Sequence, residues 1–199
     1  MKKMIWFTIF SVLFLVLIVP AILGLALDII PAGEQPGYDT NKRLSIYGER
    51  GVAQKFISSG ANLTAIGTSI RNPNLKNKKE VILNLYNADN KSVRTSILNG
   101  QNFQDGDFVK FIFTPIADSM NKTYVFTIFS PLAGPEETIE VFYFNLPTET
   151  ILEFTYDEET YPGGFPLVTF HKPNSKFEVV KEIYSNLFSR LQLFGSQKL

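Results

Sequence analysis

Glu80–Leu98 reads EVILNLYNADNKSVRTSIL, and its two halves decide the fold class. In Glu80–Asn87, Val81, Leu83 and Leu85 recur at every second position, so they share one face of an extended strand. Ala88-Asp89-Asn90-Lys91 then supplies turn chemistry, because Asp and Asn tolerate left-handed dihedrals and bond their own backbone. The return strand, Ser92–Leu98, stops at Asn99-Gly100. This is an antiparallel hairpin with one buried face.

Working outward, period two continues on both sides. Val52–Ser58 and Leu63–Arg71 precede the hairpin. Asp105-Gly106 opens the segment after it, where Phe108–Thr114 is apolar on both faces and reads as a central strand ended by Pro115. Lys122–Ser130, Thr138–Leu146, Ile151–Tyr156 and Pro166–His171 bring the count to about nine short strands with turn punctuation between them. No helix is long enough for a parallel crossover, so an all-β sandwich or barrel over 44–172 is expected. Its expected core includes Val81, Leu83, Leu85, Phe111, Phe113, Val125, Val141 and Tyr143.

Within this run, Phe111–Ser119 (FIFTPIADS), then Lys122-Thr123-Tyr124 and Phe129-Ser130-Pro131, resembles galactose-binding-like jelly-roll domains. Such domains occur on membrane-bound envelope proteins of bacteria, sometimes beside glycosyltransferases. The resemblance covers about Val52–Phe144 and implies a jelly-roll type β-sandwich of 8–9 antiparallel strands. It consists of core and turn residues and carries over no binding residue.

Both ends of the chain read differently. Met4–Leu27 holds 24 residues with only Thr8 and Ser11 polar, a helix of roughly 36 Å and long enough for a bilayer core. Lys2 and Lys3 precede it and the next basic residue is Lys42, which places the N-terminus inside and the bulk outside the cytoplasm. Residues 1–27 are therefore expected to be a signal-anchor held in the lipid bilayer through 4–27. The rival is a signal peptide cleaved after Gly24-Leu25-Ala26; the length of the apolar run favours the retained anchor. Residues 28–43, with Pro31, Gly33, Pro36 and Gly37, read as a linker. In 173–199, Ser175 and Glu178 form a capping-box pattern, and Phe177, Val180, Tyr184, Leu187, Phe188 and Leu191 make one apolar stripe. An amphipathic helix at 175–194 is expected to lie on the sandwich or on a membrane protein partner.

Composition narrows the chemistry. The chain carries 19 basic and 19 acidic residues; without Lys2 and Lys3 the outer part has 17 against 19, a net −2. That balance argues against nucleic acid and against charge-driven lipid binding. The absence of cysteine excludes disulfides and thiolate metal sites. His171 stands alone, so no histidine-rich metal set is expected, and no cofactor. No Gly-x-Ser-x-Gly elbow or phosphate-cradling loop is present, and no catalytic residue is assigned. The acidic clusters Glu136-Glu137 and Asp157-Glu158-Glu159 read as solvated, and Asp105, Asp107 and Asn102 as a turn rather than a calcium site. The loop Tyr156–Phe170 sets Tyr156, Tyr161 and Phe165 beside Asp157 and Glu159, around a flexible Pro-Gly-Gly. Aromatic plates beside carboxylates suit a sugar, so these five residues are the candidate site for a cell-surface glycan. The function expected is a membrane-anchored extracytoplasmic binding or assembly module. The alternative is a structural subunit that docks through 175–194 and has no small ligand.

Overall fold

The computed structural model describes residues 2–32, 39–103, 107–144 and 151–195. The chain divides into two compact units, Pro31–His171 and the paired ends Met1–Ile30 with Lys172–Leu199.

The larger unit is two antiparallel sheets. Its strands are β1 (Ile30–Ala32, at the boundary), β2 (Asp39–Ile46), β3 (Val52–Ile57), β4 (Leu63–Arg71), β5 (Glu80–Asn87) and β6 (Ser92–Asn99). They continue as β7 (Asp107–Ile116), β8 (Thr123–Phe129), β9 (Ile139–Tyr143), β10 (Ile151–Tyr156), β11 (Glu159–Tyr161) and β12 (Val168–His171). The first sheet runs β1-β12-β4-β9-β2, with β7 on the other edge of β4; the second runs β11-β10-β3-β8-β5-β6. The expected hairpin is the β5–β6 pair, Val81 opposite Leu98 and Leu83 opposite Ser96. Its turn is closed by the Asn87 side chain, which accepts from the Lys91 N–H at 2.9 Å, and Asn90 sits at φ 58.

Alternation along each strand sends one face inward. Val81, Leu83 and Leu85 are fully buried, as are Phe56, Ile66, Phe111, Phe126 and Phe154. Four expectations are corrected. Val125 is only half-buried, because β8 turns Tyr124, Phe126 and Ile128 to the core. Tyr143 packs at the core's margin. Among the described residues β7 pairs only with β4, so it is an edge strand, and Ile112 is exposed. Nor does Pro115 end β7. It lies where the β4–β7 register shifts between Leu63 and Ala65, a position where a missing N–H costs no ladder bond. Arg94 caps that free edge, donating from Nε to the Thr114 carbonyl at 2.7 Å and from Nη2 to that of Pro115 at 3.0 Å.

The stretch read as a linker contains β1 and the start of β2. Pairing of β2 with β9 shifts register between Asp39 and Arg43, and the polar run there hides the strand from a periodicity test. Behind the loops, Asn72 and Asn77 are fully buried and fully used. Asn72 Nδ2 donates to the carbonyls of Asn77 and Gly100, while Asn77 Nδ2 donates to Glu137 O and Ser130 Oγ.

The smaller unit is helical. One helix long and apolar enough to cross a membrane spans Lys3–Ala26. It comprises α1 (Lys2–Leu13), a π-helical turn at Phe14–Ile18 and α2 (Val19–Ala26). Pro20 lacks an N–H and crowds the preceding turn, and the widened turn relieves that. The third helix, α3 (Lys176–Gly195), runs antiparallel to α2. Lys176 donates to the Leu27 carbonyl and to Asp28, Gly24 faces Val180 and Ile183, and the Tyr184 hydroxyl donates to the Leu17 carbonyl. This packing corrects the expected stripe. Val179, Val180, Ile183 and Tyr184 turn inward, whereas Phe177 is 76% exposed. The side chains of Leu187, Phe188 and Leu191 lie outside the described residues.

Candidate functional site

The five candidate residues do not form one open platform. Phe165 is fully buried, ring against Phe126 at 5.1 Å and Phe154 at 5.5 Å. Gln54, itself fully buried, holds it there by backbone-like pairing. The Phe165 N–H donates to Gln54 Oε1 at 2.8 Å, and Gln54 Nε2 donates to the Phe165 carbonyl at 3.2 Å. The Pro-Gly-Gly before it is clamped: Gly164 exchanges two backbone bonds with Phe144, and a Cβ on Gly164 would lie 2.7 Å from Gln54 Oε1. Tyr161 is half-buried, edge-on to Tyr143, Phe154 and Tyr156 at about 6 Å. The Tyr156 hydroxyl donates to the Ser45 carbonyl at 2.9 Å; burial lifts its pKa, with Arg50 pulling it back. Glu159 is exposed.

Asp157 leads to the site. With Glu158 it forms the two-residue turn between β10 and β11, Tyr156 pairing with Glu159. Both turn residues have positive φ, 52° and 68°, the geometry that right-twisted hairpins prefer but side chains resist. Two bonds fix the turn. The Asp157 N–H donates to the Gly51 carbonyl at 3.2 Å, and Asp157 Oδ2 lies 3.3 Å from Arg50 Nε. Arg50 in turn sits 5.5 Å over the Tyr47 ring.

Beneath this rim, on the outer face of the second sheet, lies a groove of about 380 Å³. Asp157, Glu158 and Glu49 edge it, Ala53 forms its floor, and Thr127, Thr155 and Phe129 line its walls. The register explains its shape. Thr155, Ala53, Thr127, Asn84 and Thr95 lie opposite one another across five neighbouring strands. Ala53 is the one short side chain in that polar row, which opens space between two threonines. Thr127 Oγ1 is buried and has no hydrogen-bond partner among the described residues. A smaller hollow of about 140 Å³ continues past Ala53 and Thr155 towards Lys55, Val125 and Glu153. Hydroxyls, carboxylates and one aromatic ring around a shallow trough can hold a polyol, hydroxyl to hydroxyl, with a ring face on Phe129. Sequence reading passed over Thr127 and Phe129 because a strand's outward face carries no motif. The cross-strand alignment of β10, β3 and β8 was the missing information.

His171 has a different setting. Its Nδ1 donates to the Ala61 carbonyl at 2.9 Å, which leaves Nε2 to accept from Thr169 Oγ1 at 3.1 Å. Burial pulls the imidazole's pKa below the ordinary histidine value, with the Ala61 carbonyl opposing. Glu137 caps the turn it belongs to through its carboxylate to the Gly134 N–H, and Glu136 is exposed. Among the described residues no three acidic or histidine side chains are placed to hold a metal ion. Asp105 and the Asp107 side chain lie outside those residues. No family model matches the sequence, and no curated protein is significantly similar to it.

Proposed function

We propose that this protein is a membrane-anchored, extracytoplasmic binding module of a cell envelope that takes a glycan in the groove over Ala53. The groove is the observation that carries the reading: Thr155 and Thr127 either side of Ala53, Phe129 beside them and three carboxylates on its rim. A volume of about 380 Å³ falls in the range of small-ligand clefts.

The anchor reading draws on the apolar helix Lys3–Ala26, and Lys2 and Lys3 favour a cytoplasmic N-terminus. The strand order supports the jelly-roll type. Of the eight strands β2–β9, the first sheet takes β2-β9-β4-β7 and the second β3-β8-β5-β6, two interlocked Greek keys with β10–β12 added at the margins. We assign no catalytic role to any residue. The amphipathic reading of 175–194 leaves a second possibility, a structural subunit without a small ligand, which the polar outer face of α3 favours.

The test is titration of the full chain in lipid nanodiscs with neutral, acidic and amino-sugar polysaccharides. Ala53→Leu fills the floor and removes no polar group, so it should weaken binding at least tenfold with an unchanged melting curve. Thr127→Val should weaken it less, and Tyr161→Ala should leave it intact. Should the unmodified chain bind none of these polymers while a co-purifying protein is lost with residues 175–194, the structural reading replaces this one.

A further inference from the structure

Two turns of α3 carry a polar face that a membrane helix does not ordinarily show. Glu178, Lys181, Glu182 and Ser185 recur at i, i+3, i+4 and i+7, lie on one side, and are all exposed. Their depth follows from contacts on the opposite side. Lys176 reaches the Leu27 carbonyl and Asp28 at the outer end of the apolar helix. Tyr184, eight residues on, reaches the carbonyl of Leu17, nine residues inside Ala26. At ~1.5 Å per residue Tyr184 lies about 12–14 Å inward by either route. Once Lys3–Ala26 spans a bilayer, as proposed above, Lys181 and Glu182, five and six residues on from Lys176, stand roughly 7–9 Å inward of that outer end. Lysine can extend its ammonium back towards the headgroups; the shorter glutamate cannot. Charged side chains at that depth pair with one another or line a protein interface.

We infer that two copies of this chain associate in the membrane through this face of α3, Lys181 of each copy against Glu182 of the other. The occupant follows from the charges. Adjacent residues of opposite sign at nearly one depth are self-complementary about a two-fold axis along the membrane normal, which satisfies both pairs at once. The face would otherwise meet hydrocarbon.

The chain has no cysteine, so a single introduced thiol reports cleanly. Full-length Ser185→Cys in native membranes, treated with a membrane-permeant oxidant, is expected to run mostly as a disulfide-linked dimer. Thr95→Cys, on the sandwich, is expected to stay monomeric. Adding Lys181→Glu to Ser185→Cys should cut dimer yield at least tenfold, and adding Glu182→Lys as well should restore it. Absence of dimer, dimer indifferent to these reversals, or cross-linking to a different protein would each overturn the inference. Alkaline extraction of the same membranes separates the two failures: a chain that washes off was never spanning, whereas one that stays but does not cross-link spans without pairing.

Discussion

His171 shows how one buried group ties stability to pH. Its neutral ring is held between the Ala61 carbonyl and the Thr169 hydroxyl, and burial disfavours the charged form. The unfolded chain keeps an ordinary histidine, so it binds the extra proton first as pH falls. Stability from this residue is full above about pH 6.5 and declines as pH drops through the interval between that value and the lowered folded one. Thermal melts between pH 8 and pH 5 should show this loss, and His171→Gln should remove that part of the slope. The Asn77 amide is a sharper case, with three partners besides its own backbone. Asn77→Ala leaves buried donors and acceptors unpaired and is expected to cost about 2–3 kcal/mol in urea unfolding. At Glu158 the sign reverses. Its φ of 68° is one glycine adopts freely, so Glu158→Gly should stabilise by about 1 kcal/mol in the same assay.

At the scale of elements, legibility followed the strength of the local pattern. The β5–β6 hairpin was readable because alternation and turn chemistry agree over nineteen residues. In β8 they compete: Val125 is as apolar as its neighbours, and only packing against Phe56 and Phe165 decides that Tyr124 and Phe126 face inward. The same ambiguity made β7 look central, since Phe108 and Ile112 are apolar on its outer side. Phe165 was misplaced for a non-local reason, as Gln54, 111 residues away, sets its position. In α3 the inward face is rotated towards Val179 and Ile183 because its partner is the slim ridge at Gly24, where an added Cβ would lie 2.9 Å from Val180. Gly24→Leu is therefore expected to loosen α3, raising amide exchange over residues 177–185 at least tenfold.

For the whole molecule, nine of the twelve strands and the apolar helix were in the sequence, but the groove was not, because its walls come from three strands that meet only after folding. That same non-local pairing governs when the protein can fold. The early strands β2, β3 and β4 take partners from β9, β10 and β12, about 95–110 residues later. Long closures of this kind are slow: the second sheet is not complete until Tyr161 has arrived, and the first not until His171. A chain delivered N-terminus first must therefore wait, with β2–β4 lacking neighbours on one side, while more than a hundred residues emerge. Ribosome-stalled chains that expose residues up to about 130 should be digested readily by protease, and those that expose the chain through 171 should resist. The interval between those two lengths is the window in which a holding chaperone has work to do on this protein.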